Sequence, residues 1–370
     1  MVERALAWRD RLLTSAAFRR WAAAFSLTRP MARSRTRALF DLCAGFVYSQ
    51  ILAACVQLRV FDMLAERPQT AAQLAPRIGL TLDAAQRLLD GAVALKLAER
   101  RSGGRYGLGA LGAAMVDNAA VTEMVKHHAM LYADLRDPVA LLRGEQSAGA
   151  LASYWPYAEY ANPAGLQGGQ IADYTALMSA SQPLVTDEIL NAYRMDRHRC
   201  LLDIGGGDGT FLSRVAARAP KLQLLLFDLP PVAARAEARF AAAGLASRAR
   251  AVGGDFREGA LPQGADVATL VRVLHDHDEP TAAAILRAAH RALPLGGTLL
   301  VAEPMADTPG AERVGDAYFG FYLLAMGRGR PRSAMKISAM LKDAGFVETR
   351  SIATATPLLT SLIAARRGGG

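Results

Sequence analysis

Cysteine is scarce in this sequence. The 370 residues include only Cys43, Cys55 and Cys200, which form no CxxC pair and have no histidine cluster nearby. This spacing excludes a disulfide-stabilised scaffold and argues against a structural zinc site. We therefore expect a protein of a reducing compartment, in the cytoplasm, that binds no metal.

A secretory signal and a clear membrane span are also missing. Residues 1–30 lack an uninterrupted apolar core followed by a small-residue cleavage site. The charge-free run from Leu42 to Leu58 contains Ser49 and two glutamines, and it is shorter than the about 20 residues that span a bilayer. We interpret it as a buried helix of a dimer interface, with a transmembrane anchor as the alternative.

Apolar residues are plentiful, at 52% of the chain against 21% charged residues. This balance predicts a folded core rather than a disordered chain. The length predicts two or three domains, at about 100–200 residues each. Changes in composition suggest four regions: a basic arm over 1–40, a helical domain over 41–120, a helical linker and substrate wall over 121–190, and an α/β domain over 191–370.

Positive charge is concentrated at the start of the chain. The formal net charge is +9, and residues 1–40 hold nine arginines against only Glu3 and Asp10, which makes that segment +7. A basic arm suits nucleic acid or an anionic membrane surface. The alternative is an arm that is solvated or docked in a dimer.

Residues 61–110 follow the pattern of a winged helix. Phe61 to Leu64 reads as a short apolar turn, Thr70 as a helix cap, Thr81 to Leu97 as a second helix, and Ser102-Gly-Gly104 as the turn of a hairpin. Such a unit binds DNA in many regulators and serves as a packing module in other proteins.

Strands alternate with helices from Arg199 onward. This order predicts an α/β fold with a doubly wound, mostly parallel sheet and helices on both faces. The expected strands are Cys200–Ile204, Leu222–Phe227, Ala265–Leu270 and Thr298–Glu303, followed by a final pair around Thr356-Pro357.

The strongest motif is Leu201-Leu-Asp-Ile-Gly-Gly-Gly-Asp-Gly-Thr210, a glycine turn between a strand and a helix. Ligands bind at this edge of a doubly wound sheet. The motif does not complete the GxGxxG pattern of dinucleotide sites and lacks the lysine of a P-loop. It therefore predicts a nucleoside cofactor without a pyrophosphate, with Asp203, Gly205 and Gly207 as candidate binding residues.

Carboxylates follow the next strands. Asp228 ends the second strand, where it can accept hydrogen bonds from both ribose hydroxyls. Asp255 lies where a third strand would end, and it can accept from an adenine amine while Phe256 packs against the base. Each aspartate alone could be a surface turn residue, but their placement after successive strands favours a binding site.

Val271-Arg-Val-Leu-His-Asp-His-Asp278 follows the fourth strand. His275, followed by Asp276, is the candidate catalytic residue at the ligand edge, whereas His277 is expected to point elsewhere. Glu303 ends the next strand and could orient the imidazole of His275 by accepting from its second nitrogen. A structural histidine is the alternative.

These motifs resemble those of the S-adenosylmethionine-dependent O-methyltransferases of the plant caffeate and bacterial small-molecule type. LLDIGGGDG, FDLP, GDF and LHDHDE occur in the order and spacing of that family, and the resemblance covers roughly residues 40–365. It implies a Rossmann-like methyltransferase fold and a homodimer formed by the front half. It also implies that Gly205, Asp228, Asp255, Phe256 and Arg272 contact the cofactor, that His275 is the general base and that Glu303 is an acidic neighbour of that base.

A narrower resemblance concerns the front of the chain. Trp8-Arg-Asp-Arg-Leu12 and the run from Ala38 to Gln50 are most similar to carotenoid O-methyltransferases of purple bacteria. Those enzymes methylate the tertiary C-1 hydroxyl of hydroxylated acyclic carotenoids. Bacteriochlorophyllide methyltransferases and enzymes for phenolic or polyketide acceptors are the alternatives within the resemblance.

One position departs from the family pattern. The family has a second glutamate shortly after an Arg-Thr pair, and here Arg332-Ser-Ala334 places Ala334 at that position. The histidine then has at most one of its two acidic neighbours. A cofactor-binding relative that has lost methyl transfer therefore stays a competing interpretation.

The acceptor should meet an apolar wall. Residues 317–326 supply Tyr318, Phe319, Tyr322 and Met326 as candidate substrate contacts, although a plain core helix would look similar. The aromatic cluster Tyr154, Trp155, Tyr157 and Tyr160 is a further candidate wall. A long apolar acceptor resides in membrane, so the basic arm would hold the enzyme to the cytoplasmic face of the photosynthetic membrane.

A DNA-binding regulator is the alternative of another class. Its recognition helix would be 81–97, which carries only Arg87 and Lys96 as bases, opposed by Asp83 and Asp90. Phosphate contact needs more positive charge than this. We therefore expect no nucleic-acid partner.

Overall fold

The computed structural model of the chain describes residues 2–145, 149–154, 182–257 and 260–368. The chain divides into two compact units, residues 1–118 and 119–370. The helical linker expected at 121–190 and the α/β domain expected at 191–370 therefore belong to a single unit.

The first unit is mainly helical and contains one small sheet. Its elements in chain order are α1 (Val2–Thr14), α2 (Ala16–Ala24), α3 (Arg29–Gln57), α4 (Val60–Glu66), β1 (Gln69–Thr70), α5 (Ala71–Leu74), α6 (Leu82–Ala94), β2 (Ala98–Arg101), β3 (Arg105–Leu108) and α7 (Ala110–Ala113). The three strands form an antiparallel sheet in the order β1-β3-β2. Helices followed by a hairpin give the winged-helix arrangement.

Local sequence explains the helices of this winged-helix region. Thr70 and Gln73 form a capping box, in which each side chain accepts a hydrogen bond from the other residue's backbone N–H. α6 buries its predicted apolar face through Ala85, Leu89 and Ala92. The turn expected at Phe61–Leu64 is wrong, because these residues belong to α4, which buries Val60, Phe61 and Leu64.

The predicted boundary at residue 40 lies inside the continuous helix α3. After Pro30 the segment contains no proline, and the only glycine is Gly45, so nothing breaks the helix at residue 40. Within the described residues, α3 is also the one helix long and apolar enough to cross a membrane by length and composition. Much of its apolar surface is exposed in the single chain, including Phe40, Leu42 and Phe46.

The second unit is built on a seven-stranded sheet. Its helices before the sheet are α8 (Ala119–Asp134), α9 (Pro138–Arg143), α10 (Ala150–Tyr154) and α11 (182–192). The sheet region continues through β4 (Cys200–Ile204), α12 (Thr210–Arg218), β5 (Gln223–Asp228), α13 (Pro230–Ala242), β6 (Ala249–Gly253), β7 (Val267–Val271), α14 (Glu279–Ala292), β8 (Thr298–Glu303), α15 (Phe319–Ala325), α16 (Ala334–Asp343), β9 (Phe346–Ile352) and β10 (Ser361–Arg367). A π-helical turn, Arg313–Tyr318, leads into α15.

Both faces of the sheet are covered. Adjacent residues of a strand point to opposite faces, and accordingly Leu202 packs in the cluster with α14 and α16, whereas Leu201 packs in the cluster with α12 and α13. All five residues of β7 are buried. A parallel sheet covered on both faces needs such uninterrupted apolar strands, and the doubly wound, mostly parallel fold class is confirmed.

The strand order places a crevice at the centre of the sheet. The order is β6-β5-β4-β7-β8-β10-β9, with β4 to β8 parallel and β10 antiparallel to both neighbours. The chain runs outward from β4 through β5 and β6, then returns to the other side of β4 with β7. This reversal is a topological switch point, where ligands bind beyond the carboxyl ends of the strands.

Candidate active site

A cleft lies at this switch point. It encloses about 1290 Å³ of empty space, part of it open to solvent. All seven predicted cofactor residues line it: Asp203, Gly205, Gly207, Asp228, Asp255, Phe256 and Arg272. The pattern of strand-ending residues was sufficient to place them at one edge.

The glycine turn forms the floor of the cleft. Gly205 and Gly207 have φ of 70° and 61°, a region that favours glycine. A Cβ on Gly206 would lie 2.7 Å from Asp203 Oδ2 and 2.8 Å from Leu226. The turn therefore brings bare backbone to the ligand edge and leads directly into α12, whose N-terminal dipole favours negative charge.

Asp228 is tied to this turn. Its Oδ2 accepts from the Gly207 N–H at 2.8 Å, and its Oδ1 accepts from the Leu229 N–H at 2.7 Å. Burial raises the pKa of Asp228 to about 6, although the two backbone N–H groups oppose that rise. Each carboxylate oxygen keeps a second lone pair for a ligand hydroxyl.

Asp203 is a second buried carboxyl at the cleft. Its Oδ1 accepts from the Thr269 hydroxyl at 2.6 Å, whereas its Oδ2 is buried and has no hydrogen-bond partner among the described residues. Burial raises its pKa to about 7. Buried acceptors beside an open glycine turn suit a ligand with hydroxyl groups and positive charge, as a nucleoside sulfonium has.

Asp255 is engaged differently from the expectation. Both of its carboxylate oxygens lie 3.0 Å from the Nε of Arg257, which donates to them. Burial raises the pKa of Asp255, but the hydrogen bonds from Arg257 outweigh it and hold the pKa below its usual value. Any bond to an adenine amine would use the remaining lone pairs of this carboxylate.

His277 lines the cleft, which corrects the expectation that it points elsewhere. Its ring meets the ring of Phe256 edge-on, with centroids 5.2 Å apart. Burial, followed by the charge of Arg257, lowers the pKa of His277 to about 4, so the ring is neutral. Phe256 and His277 therefore form an aromatic corner suited to a flat base.

Arg272 directly follows β7 with φ of 56°. Its backbone N–H donates to Ala302 O at 2.8 Å, and its guanidinium donates to Gln182 Oε1. Gln182, Arg257 and Arg328 line the same cleft but were missed. No local pattern marks Gln182 or Arg328, because loop and helix packing brings them to the sheet edge.

His275 lies in a short helical turn, Leu274–Asp276, that follows β7. The side chain is buried behind the cleft wall, and its Nε2 lies 3.2 Å from Asp276 Oδ1. Its Nδ1 has no hydrogen-bond partner among the described residues. Burial is the main cause that lowers the pKa of His275 to about 3, so its imidazole is neutral and able to accept a proton.

Glu303 does not contact the second ring nitrogen of His275, and that expectation is wrong. Its Oε2 accepts instead from the backbone N–H of His275 at 3.2 Å. The cause is the register of two parallel neighbours, since Val271 pairs with Ala302, so the carboxyl at the end of β8 reaches the backbone that leaves β7. Burial raises the pKa of Glu303 to about 7 and that of Asp276, which also faces Glu303, to about 8.

Ala334 is the first residue of α16. Ser333 caps this helix by accepting from the Lys336 N–H at 3.2 Å. Ala334 supplies no acid, so the buried acidic neighbours of His275 are Asp276 and Glu303.

The predicted acceptor wall is only partly brought to the site. Phe319 packs on His275 with ring centroids 5.5 Å apart. Tyr318 and Tyr322 stack on each other, and their hydroxyls lie 2.8 Å from Nε2 of His128 and His127 on α8. None of Tyr318, Phe319, Tyr322 and Met326 lines the cofactor cleft.

Met326 belongs to a hydrophobic cluster with Leu131 and Leu323. Its side chain is 2% exposed, and a role as a substrate contact stays a prediction. The Tyr154 side chain and Trp155, Tyr157 and Tyr160 lie outside the described residues.

Comparison with known proteins identifies the fold's family. An O-methyltransferase domain matches residues 132–347, and an O-methyltransferase dimerisation domain matches residues 40–118. The chain belongs to the O-methyltransferase family. The predicted resemblance is confirmed, and the dimerisation domain supports a homodimer.

Relatives of this family cover nearly the whole chain. The demethylspheroidene O-methyltransferase of Cereibacter sphaeroides is 42% identical over 358 residues, which are 96% of this chain and 94% of that protein. The demethylspheroidene O-methyltransferase of Rhodobacter capsulatus is 42% identical over 336 residues, 91% of this chain and 83% of that protein. The structure of human N-acetylserotonin methyltransferase in complex with SAM has a TM-score of 0.74 at 25% identity, covering 90% of this chain and 98% of that chain.

Proposed function

We propose that this O-methyltransferase transfers the methyl group of S-adenosylmethionine to the tertiary C-1 hydroxyl of an acyclic carotenoid. The observation that carries the transfer reaction is one cleft that joins the glycine turn, and three carboxyls in or just after adjacent strands, to the turn bearing a neutral histidine. The acceptor class is supported by 42% identity to two demethylspheroidene O-methyltransferases. The methyl donor is S-adenosylmethionine, with which the human structural neighbour was solved.

Bound in the cleft, S-adenosylmethionine would supply a methyl group on a positively charged sulfur. The alcohol oxygen of the acceptor attacks that methyl carbon in line with the carbon–sulfur bond, and the sulfur leaves. Asp228 and the Gly207 backbone would hold the ribose side, and Asp255, Phe256 and His277 would hold the base side. The new carbon–oxygen bond forms as the carbon–sulfur bond breaks, and the hydroxyl proton must leave. Correct alignment alone is worth about 7–11 kcal/mol in the best intramolecular models.

His275 takes that proton as the oxygen attacks. An aliphatic alcohol is a much weaker acid than a phenol, so deprotonation must accompany methyl transfer rather than precede it. The proton arrives at Nδ1, which has no partner among the described residues, while Nε2 faces Asp276. A positioned base of this kind contributes about 10²–10⁴ in rate.

Labelled S-adenosylmethionine and a panel of acceptors test the proposal. The panel contains a C-1 hydroxylated acyclic carotenoid, the same carotenoid without its hydroxyl, a phenol, a polyketide phenol and a bacteriochlorophyllide. We expect label in the carotenoid ether alone. Transfer to another compound of the panel would show that this compound, and not the carotenoid, is the acceptor. Binding of S-adenosylmethionine without transfer to any compound would favour the competing interpretation, a cofactor-binding relative that has lost methyl transfer.

The His275→Ala variant tests the base in the same assay. We expect retained cofactor binding with turnover reduced about 10²–10⁴-fold. Undiminished turnover would remove His275 from the mechanism.

The DNA-binding alternative finds little support in the helix that would read DNA. Arg87 of α6 pairs with Asp83 of the same helix at 2.7 Å, and Asp90 accepts from Arg100 and from the Tyr106 hydroxyl. The charge of Arg87 is therefore matched by a carboxylate of its own helix. A gel-shift at low salt without retardation would agree with this.

We further propose that residues 1–40 bind an anionic membrane surface, on the cytoplasmic face of the photosynthetic membrane. Membership of the O-methyltransferase family is consistent with a cytoplasmic location. Helices α1 and α2 carry five of the nine arginines together with exposed Trp8 and Trp21, and Phe25 stacks on Trp21. Basic residues beside exposed aromatic rings are typical of helices that lie in a membrane interface.

Sedimentation with vesicles tests the membrane contact. We expect the enzyme to bind phosphatidylglycerol vesicles at low salt, and we expect high salt or the Arg19→Glu, Arg20→Glu variant to release it. Arg87→Glu, a charge reversal on α6, is the matched control. Equal binding of the double variant, or equal binding to neutral phosphatidylcholine, would contradict the proposal.

The apolar half of α3 is assigned to the second copy of the chain rather than to a membrane span. It falls within the dimerisation domain, and Phe40, Leu42 and Phe46 are exposed in the single chain. Sedimentation velocity of Phe46→Arg checks this assignment, because the charge should yield monomers.

A further inference from the structure

The loop over 327–332 lies directly on the turn that carries His275. Gly329 has φ of 79°, and a Cβ at this position would lie 2.1 Å from the carbonyl oxygen of His275. The next residue, Arg330, donates its backbone N–H to that same oxygen at 2.9 Å. Only a glycine allows the two backbones to approach so closely.

Arg332 continues this contact with its side chain. The residue is 3% exposed. Its Nη1 donates to Leu274 O at 2.6 Å, and its Nη2 donates to His277 O at 2.7 Å. One guanidinium therefore joins the two ends of the turn that contains His275 and Asp276.

The backbone of Arg332 is itself anchored to the sheet. Its carbonyl accepts from the Ala306 N–H at 3.0 Å, and Ser333 forms a bridge with Ala306, three residues after β8 ends. The backbone that carries the guanidinium is thus bonded to the segment that follows β8, the strand that ends at Glu303.

Charge explains why a cation is stable at this buried position. Burial disfavours the charged guanidinium and lowers the pKa of Arg332, while the carboxyl of Glu303 raises it. Arginine stays protonated in proteins, and the two carbonyls and Glu303 compensate its positive charge.

We propose that Arg332 is a positioning residue of the methyl-transfer reaction, which bridges the carbonyls of Leu274 and His277 and thereby fixes the direction of the His275 imidazole. The proposal rests on the proposed function, because it assumes that His275 takes the proton. Ala334 supplies no carboxyl to this turn, and Arg332 holds the turn by its backbone carbonyls instead. A displacement of the imidazole by about 1 Å would cost catalysis about 10²-fold.

The two carbonyls require a fork rather than a point charge. A guanidinium presents several N–H groups in a fixed plane, whereas the lysine ammonium is compact and sits on a flexible stem. Arg332→Lys therefore keeps the charge but should lose the bridge, which separates positioning from electrostatics.

Chemical rescue tests the proposal. We measure kcat with the acceptor that the wild-type enzyme methylates, together with the dissociation constant of S-adenosylhomocysteine and the melting temperature. We expect Arg332→Lys and Arg332→Ala to lower kcat about 10–100-fold and to change cofactor affinity much less. Added guanidinium should restore turnover of Arg332→Ala, whereas urea should not.

Arg330→Ala is the matched control. Its side chain is exposed, and its hydrogen bond to the turn comes from the backbone N–H, which alanine retains, so this variant should keep its turnover. Should Arg332→Ala fail to fold, Arg332→Lys carries the test through its kcat and cofactor affinity. Wild-type turnover in Arg332→Lys, or a loss shared equally by Arg330→Ala, would overturn the proposal.

A readout that does not depend on turnover separates this proposal from the reaction itself. The chain has six histidines, and the imidazole NMR signals of His275 can be assigned by their loss in His275→Gln. We expect Arg332→Lys to shift those signals and to leave the signals of the remote His198 and His290 in place. Unchanged His275 signals would overturn the positioning role, whereas shifted signals in an enzyme without turnover would overturn only the proposed function.

Discussion

The Nε2 atom of His275 lies 3.2 Å from Oδ1 of the adjacent Asp276. Both residues belong to the short helical turn Leu274–Asp276 that follows β7. Asp276 lines the cleft, whereas His275 is buried behind it. Asp276 is therefore the carboxyl that faces the imidazole directly.

Asp276→Asn should lower kcat about 10–100-fold, since a hydrogen bond to a charged group is worth about 1.5–3 kcal/mol. The amide cannot carry the negative charge that stabilises the imidazolium formed as the proton moves. Turnover with labelled S-adenosylmethionine measures the effect. Glu279→Gln, an exposed change near the same turn, is the control, and wild-type kcat in Asp276→Asn would exclude the carboxylate.

The role of Glu303 is tested by comparing two substitutions at one position. Glu303→Gln keeps an oxygen that can accept the backbone N–H of His275, so we expect less than about a tenfold loss of kcat. Glu303→Ala leaves that buried N–H without an acceptor, which costs about 1–3 kcal/mol of stability and should lower kcat further. Thermal unfolding and turnover measure both variants. Equal damage by glutamine and alanine would restore the view that its charge orients the imidazole.

Much of the site could be predicted because parallel strands all end at the same edge of a sheet, so residues at the ends of different strands meet there. Asp203, Asp228 and Asp255 are distant in sequence, yet each lies in or just after one of three adjacent strands, and so they meet at one edge. The strand Thr298–Glu303 has its predicted bounds, and the helix Glu279–Ala292 fits the predicted alternation of strands and helices. In both segments the local pattern agrees with the packing: Asp278 caps the helix, and the strand is apolar from Leu299 to Ala302.

The remaining features depend on contacts that no local pattern encodes. Glu303 was predicted to lie beside His275, which is correct, but it was predicted to contact the imidazole ring, which is wrong. Strand register rather than residue type decides whether its carboxyl meets the ring or the backbone N–H of His275. Arg332 and Gln182 reach the site through loop and helix packing. Met326 fits a pocket residue and a core residue equally well by sequence, and it packs in a core cluster in the structure.

Asp228→Asn should weaken binding of S-adenosylhomocysteine about 10–150-fold, equivalent to about 1.5–3 kcal/mol. Both oxygens of Asp228 accept backbone N–H groups, from Gly207 and Leu229. An asparagine would turn an N–H donor toward one of these donors and distort the glycine turn. Titration calorimetry measures the affinity, and Asp187→Asn, which removes a half-exposed ion pair with Arg214, is the control. An affinity within threefold of the wild type would contradict a role for Asp228 in binding the cofactor.

The pH dependence of turnover should follow the carboxyls and not the histidine. His275, with its pKa lowered by burial to about 3, is neutral between pH 5.5 and pH 9.5, so it contributes no acidic limb in this range. Asp276 and Glu303, whose pKa values burial raises to about 8 and about 7, are protonated below those values.

Because only the ionised carboxyl stabilises the imidazolium, kcat should rise with pH through the range of about 7–8 and level off above it. Asp276→Asn should flatten the upper part of this rise, since one of the two titrating groups is gone. Initial rates at saturating cofactor from pH 5.5 to pH 9.5 measure the profile. A wild-type rate that is independent of pH over this range, or a rise that persists unchanged in Asp276→Asn, would show that neither carboxyl controls the proton transfer.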